Sequence, residues 1–287
     1  MKLLLMETGE NNHFQIKSKD FHLINLAEDG HLSIQIGENS FSYCILNTKN
    51  LTYNYLKSYL VNPRVDFYQQ ITNLINKDSV LQSGFLSISI SYLNTPNTLI
   101  PKQLYIKEES RKILEFHTDF KGDVLADYIS NQEAYITYSV QKQKREIIHN
   151  FFPNVIENSQ ESILINIYSE LNNKEKKVYL FLCEKKATIT VFSEEKLIFN
   201  NQFIYNTKED LLYYILFCYE QLKLSNEKIP LIIFGDIKKN DDHFNLLYDY
   251  IKNVKLGNRK SKLSFTKEFN ILEEHKYIGL FYQILCV

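Results

Sequence analysis

Three short turns hold the residues whose types and spacing could do chemistry: Gly37-Glu38-Asn39-Ser40, Glu184-Lys185-Lys186 and Gly235-Asp236. Each follows an apolar, β-branched run and offers clustered backbone amides, an arrangement that cradles anionic oxygens. Lys185 and Lys186 could add positive charge for phosphate, although solvated turn lysines are the plainer reading. Glu38 and Glu184 are carboxylates in hairpin turns, where acids also sit as simple turn residues. If the chain binds a nucleotide or small phosphorylated ligand, its place would be a cleft between Gly37 to Ser40 and Glu184 to Lys186, closed by Gly235-Asp236.

Other chemistry finds no seed in the chain. No G-x-S-x-G, H-E-x-x-H or G-x-x-x-x-G-K-[ST] sequence occurs. The seven histidines are scattered, and His31, His149 and His275 read as surface or locally bonded residues. Cys44, Cys183, Cys218 and Cys286 lie inside apolar patterns with no CxxC pair and no histidine at ligand spacing, so they read as buried reduced thiols and no metal site is expected.

The elements that must position these turns repeat. Leu32 to Ile36, Phe41 to Leu46 and Leu51 to Leu60 read as three strands joined by polar turns, followed by a helix from Pro63 to Asn76 and a strand from Phe85 to Leu93. Val178 to Cys183, Thr188 to Phe192 and Lys196 to Ile204 repeat the three strands. Thr207-Lys-Glu-Asp210 then opens a helix to about Leu222 with the spacing of a capping box. That helix is apolar nearly all round, so little of it is expected to face water. The unpunctuated run Leu231 to Phe234 suits a strand buried on both faces, parallel to its neighbour across the helix. The unit β-β-β-α-β therefore occurs twice.

Between the units, residues 97 to 157 read as an inserted α+β subdomain. It has an extended segment around Pro101, a helix at Glu108 to Phe116, strands at Asp123 to Ile129 and Gln132 to Val140, and a helix at Gln141 to Phe152. The basic residues of this last helix, Lys142, Lys144 and Arg145, are read as facing solvent, as is the basic patch at 258 to 262. Val155-Ile156 is a brief strand and Ser159 to Leu171 a helix. Residues 1 to 20 read as a polar lead-in, with Phe21 to Leu26 an edge strand. Residues 21 to 173 form the first domain, residues 174 to 287 the second, and Asn172 to Lys177 the linker. After the second unit come a helix at Asp242 to Lys252, a last strand at Leu263 to Phe265 and an apolar helix or strand at Ile278 to Val287.

Composition is that of an ordinary folded chain, and 287 residues suffice for two domains. The 33 basic against 34 acidic side chains give nucleic-acid binding no electrostatic support. The apolar run at Met1 to Met6 is too short for a signal peptide, and no stretch approaches the roughly 18 apolar residues of a membrane span, so a cytoplasmic protein is expected.

Two β-β-β-α-β units, an insertion in the first, and a strand ending in Gly235-Asp236 resemble the actin-like ATPase superfamily of sugar kinases, heat-shock ATPases and actin homologues of cell division and pilus assembly. Leu32 to Leu46, Thr98-Leu-Ile-Pro101, Lys208 to Tyr214 and Tyr277 to Cys286 look more closely like an uncharacterised Bacteroidetes family thought to adopt that fold. The resemblance runs from Leu32 to the C-terminal end and implies duplicated ribonuclease-H-like units in an actin-like arrangement. Active members carry roughly D-x-G in each first hairpin. Here the matching stretches are Gln35-Ile-Gly37 and Leu182-Cys-Glu184, so neither has the acid in place. Glu38 or Glu184 could reach a metal one position late, and Gly235 supplies one of the paired glycines of an adenosine site. The expectation is a non-catalytic relative acting on an unidentified protein partner, with no cofactor. The alternative is an ATPase or small-molecule kinase that takes ATP with magnesium at an atypical interdomain site.

Overall fold

The computed structural model describes residues 13–172, 174–259 and 262–286. In chain order, β1 (His13–Lys17), α1 (Leu26–Asp29), β2 (Gly30–Ile36), β3 (Ser40–Asn47), β4 (Thr52–Leu60), α2 (Phe67–Lys77) and β5 (Ser87–Tyr92) build the first unit. The insertion follows as β6 (Asn97–Pro101), α3 (Ser110–His117), β7 (Asp123–Ile129), β8 (Ala134–Val140) and α4 (Lys142–Phe151). Next come β9 (Ile156–Ser159) and α5 (Gln160–Leu171). The second unit holds β10 (Lys177–Cys183), β11 (Lys186–Ser193), β12 (Lys196–Ile204), α6 (Lys208–Gln221), β13 (Leu231–Gly235), α7 (Asp242–Tyr250) and β14 (Val254–Leu256). The chain closes with β15 (Ser264–Phe265) and α8 (Ile278–Phe281), which runs into a 3₁₀ turn at Tyr282–Cys286.

The duplication is visible in sheet order. Among the described residues one sheet runs β1-β4-β3-β2-β5-β9 and another β12-β11-β10-β13-β14, so both contain third, second, first and fourth strand in that sequence. In each, the fourth strand lies parallel to the first, with His31 opposite Ser87 in one and Val178 opposite Leu231 in the other. The insertion has its own sheet, β6-β8-β7. This is the α/β architecture of two ribonuclease-H-like units with a small insertion in the first. No helix of the described residues is long and apolar enough to cross a membrane.

Period-2 alternation tells why the units pack together. On β10, Val178, Leu180 and Leu182 face α6 and α7, while Tyr179, Phe181 and Cys183 join the core of the first unit. Helix α5 lies between the two sheets and is buried on nearly every side. Its Tyr168 ring stacks on Tyr179 at 4.3 Å between centroids and tilts against Phe234 at 5.6 Å. His31, fully buried, lies with its ring nitrogens 2.7 and 3.0 Å from the hydroxyls of Ser87 and Ser89. Burial lowers it from the ordinary 6.5 to about 4, which keeps it neutral near pH 7.

Several local readings change in three dimensions. Residues 1 to 12 of the lead-in lie outside the described residues, but His13–Lys17 is a paired strand on β4 rather than a polar lead-in. Because β1 takes that edge, Phe21–Leu23 forms a 3₁₀ turn instead of a strand and Phe21 packs on Tyr55. The helix read from Pro63 starts at Phe67, since the Asp66 carboxylate accepts the Gln69 N–H and caps it there. The capping box at Thr207 and Asp210 forms as spaced, but Tyr213 and Phe217 on α6 are exposed and do not pack inward. Lys144 and Arg145 turn into the protein, not to solvent, because buried carbonyl and carboxylate oxygens await them there. Part of the basic patch at 258 to 262, residues 260 and 261, lies outside the described residues.

The C-terminal stretch, read as part of the second domain, returns to the first sheet. Phe265 on β15 pairs with Tyr53 of β4, and Phe281 on α8 is enclosed by Tyr53, Phe265 and Phe269 at 4.9 to 5.9 Å between ring centroids. The Tyr53 hydroxyl donates to the Phe281 carbonyl, and the Arg259 guanidinium covers the rings of Phe265 and Phe281. Sequence neighbours of the second unit thus serve as packing for the first, because only there does an apolar face await them.

Candidate functional site

The turn between β2 and β3 and the turn between β10 and β11 meet across the junction of the two units. Glu184 and Lys185 both adopt left-handed backbone, with φ of 48° and 62°, which matches the two-residue turn that a tightly twisted hairpin selects. The Glu184 side chain reaches across the junction. Its carboxylate accepts the Glu38 N–H at 2.9 Å, the Asn39 N–H at 2.8 Å and the Ser40 hydroxyl at 2.9 Å, and takes a longer bond from Asn94 Nδ2 at 3.3 Å. The amide nest of the first hairpin is thus filled by a carboxylate from the second.

Gly37 makes that approach possible. A Cβ there would lie 2.3 Å from Glu184 Oε1 and 2.6 Å from Ser40 Oγ. Because the obstructing atoms are the mobile end of a side chain, Gly37→Ala is expected to push the carboxylate out of the nest and leave the hairpin folded. The loss of charge-assisted bonds at a partly exposed site should cost about 1 to 2 kcal/mol in thermal unfolding. Glu184→Gln should lose a similar amount, and no change in either variant would mean the contact does not hold the units together.

Two amines flank the nest. Lys144 Nζ on α4 donates to the Gly37 carbonyl at 3.2 Å and lies over the Phe67 ring. Burial holds this amine below the ordinary lysine range. Lys186 Nζ donates to the Asn94 carbonyl at 2.9 Å and stands 3.9 Å from a Glu38 carboxylate oxygen. Lys185, by contrast, is exposed, away from the nest. Gly235, at φ +90°, packs where a Cβ would strike the Leu182 carbonyl at 2.1 Å, so its freedom serves the close approach of β13 to β10. Asp236 stands beside the Glu184 turn, and crowding by protein, reinforced by the Glu184 charge, raises its carboxyl above the ordinary range.

Sequence reading missed the floor of this junction. Glu161 in the first turn of α5 is 1% exposed. Its Oε1 accepts from Gln202 Nε2 at 3.2 Å, and its Oε2 has no hydrogen-bond partner among the described residues. Burial pushes its carboxyl up from the ordinary 4.5 to about 7. Gln202 also reaches Asn94 Oδ1 at 3.3 Å, which links the floor to the nest. In sequence, an acid just after the Ser159 cap looks like a complement to the helix dipole, and nothing local marks it as buried.

The two positions expected to carry acids are neutral and internal. Gln35 donates to Gln160 Oε1 at 2.6 Å and to Ser91 Oγ at 3.3 Å, and Leu182 is a core residue at 1% exposure. As arranged here, the Glu184 carboxylate occupies the amide nest where a phosphate would sit, and Glu38 and Asp236 line the same junction.

No match is found among curated proteins. A protein with actin-like ATPase fold and unknown function from Bacteroides thetaiotaomicron VPI-5482 is similar in structure over 92% of this chain and 99% of its own, with a TM-score of 0.79 and 19% identity. A chain of the PilM-PilN type IV pilus biogenesis complex is similar over 90% of this chain and 98% of its own, with a TM-score of 0.61 and 11% identity. Both likenesses span nearly the whole chain, both units included. Residues 19–254 match the family described as a protein of unknown function, DUF3822, and with most of its length inside that match the chain belongs to this family of actin-like fold.

Proposed function

We propose that this protein is a non-catalytic actin-fold scaffold that acts by binding another protein. The observation that carries the reading is the Glu184 carboxylate seated on the Glu38 and Asn39 amides and the Ser40 hydroxyl. A ligand phosphate would compete with a tethered anion that bears no association cost, and it would meet the charges of Glu38 and Asp236 on arrival. The neutral Gln35 and buried Leu182 remove the acids that would place a metal. The structurally similar chain of the PilM-PilN type IV pilus biogenesis complex occurs in a complex, which supports a protein partner here.

A second reading draws on Lys144 and Lys186, whose amines flank the nest and would favour a phosphate once Glu184 swung away. In that case the protein is a nucleotide-binding ATPase or small-molecule kinase with Glu184 as a gate. Isothermal titration with ATP and with ADP, each with Mg²⁺, separates the two. The scaffold reading expects no binding heat from the natural protein. Micromolar binding, or hydrolysis abolished by changing Glu38 or Glu184, would overturn it.

A further inference from the structure

A cavity of about 530 Å³ opens away from the nest, where β7 of the insertion meets α5 and the C-terminal turn. Its polar walls include Asp127, Glu170, Asn158 and Ser162, its apolar surface includes Tyr128 and Leu285, and no lysine or arginine among the described residues lines it. Asp127 accepts the Ser159 N–H and the Ser162 hydroxyl, each at 2.6 Å, and the Tyr138 hydroxyl, so every one of these partners is neutral. Burial raises its carboxyl above the ordinary range, as expected of a carboxylate without a nearby cation. Asn158, 8% exposed, lines the same cavity, and its Nδ2 has no hydrogen-bond partner among the described residues. A buried, unsatisfied amide donor is uncommon enough to require a reason.

We propose that this cavity is the seat of an arginine- or lysine-bearing peptide segment of the partner, an assignment that rests on the protein-binding reading above. Each part of such a segment answers a separate feature. The guanidinium or ammonium meets Asp127 and Glu170, which have no cation partner among the described residues. The aliphatic stem lies along Tyr128 and Leu285. A peptide carbonyl supplies the acceptor that Asn158 Nδ2 lacks. A simple amine would satisfy the carboxylates but leave the amide donor unpaired, and an acidic or neutral segment would leave the carboxylates without a counter-ion. The volume suits one or two side chains with their backbone, within the range of ordinary ligand pockets.

The probe is N-acetyl-arginine amide, titrated into the full chain while the side-chain amide signals of Asn158 and Asn166 are followed by NMR. Two controls divide the ligand. Agmatine keeps the guanidinium without the peptide carbonyls, and N-acetyl-citrulline amide keeps the carbonyls without the charge. A saturable shift is expected with the arginine compound, at least tenfold weaker with either control. Asp127→Asn disturbs bonds to α5 and could unfold the site, so the exposed Glu170 is the safer position: Glu170→Gln should weaken binding about five- to tenfold. No saturable shift, equal binding of citrulline or agmatine, or an unchanged affinity in Glu170→Gln would each overturn the assignment. Failure here with silent nucleotide titrations would sink this cavity alone. ATP binding with unmoved amide signals would sink the protein-binding reading.

Discussion

Phe281→Ala is expected to lower stability by about 3 to 5 kcal/mol, the usual cost of removing a buried aromatic ring whose surroundings cannot collapse onto the space. Phe281 is fully buried, and its neighbours Tyr53, Phe265 and Phe269 come from two different strands and a 3₁₀ turn, so no single movement refills the gap. Its backbone carbonyl also receives the Tyr53 hydroxyl, which ties the C-terminal turn to β4. Chemical denaturation monitored by circular dichroism measures the loss, and limited proteolysis should show the C-terminal stretch cut first. A cost below about 1 kcal/mol would mean that this stretch does not complete the core of the first unit.

Glu161→Gln is expected to stabilise the protein at alkaline pH by about 3 kcal/mol. With its folded carboxyl at about 7 and an ordinary value of 4.5, the folded state keeps this proton through a range in which the unfolded chain has lost it. The stability it contributes is therefore fully present below pH 4.5 and falls away as pH rises through 7, at about 1.4 kcal/mol for each tenfold difference in proton affinity. The glutamine variant keeps the shape and carries no charge, so the two proteins should match near pH 4 and diverge toward pH 8. His31 acts with the opposite slope. Its lowered value means that stability is present above pH 6.5 and lost as pH falls toward 4. That term is common to both proteins and cancels in their difference. Thermal melts of the pair from pH 4 to pH 8 test the expectation, and parallel curves would show that Glu161 is ionised or solvated in the folded state.

Much of the scaffold was legible because it is encoded by short-range rules. The strand alternation of Leu32 to Ile36 and Val178 to Cys183 follows from side chains pointing to opposite faces at each residue. The Thr207 cap needs a partner only three residues away. The parallel crossover to Leu231–Gly235 follows from an intervening helix and an unbroken apolar run. The turns at Gly37 to Ser40 and Glu184 to Lys186 meet in space because each opens at the same end of its unit's first hairpin.

What the sequence could not tell is which side chain would enter which turn. Glu38 and Glu184 are 146 residues apart, and only the docking of the two units decides that the Glu184 carboxylate sits on the Glu38 amide. Lys144 reads as solvated on a helix wheel, yet its amine closes on the Gly37 carbonyl, 107 residues away in the chain. Glu161 reads as a dipole complement, and its burial depends on the second unit's Gln202 lying over it. The C-terminal turn reads as the end of the second unit, but the unfilled apolar face belongs to the first. Periodicity and caps are local energies that a linear pattern carries, so the sequence by itself determined the units and their strands. The pairing of β5 with β2 and of β13 with β10, instead of with the strand before each helix, was decided by the tertiary structure. Desolvation and charge pairing depend on distances between remote segments, so the filled nest, the buried acid and the acidic cavity were decided by the tertiary structure alone.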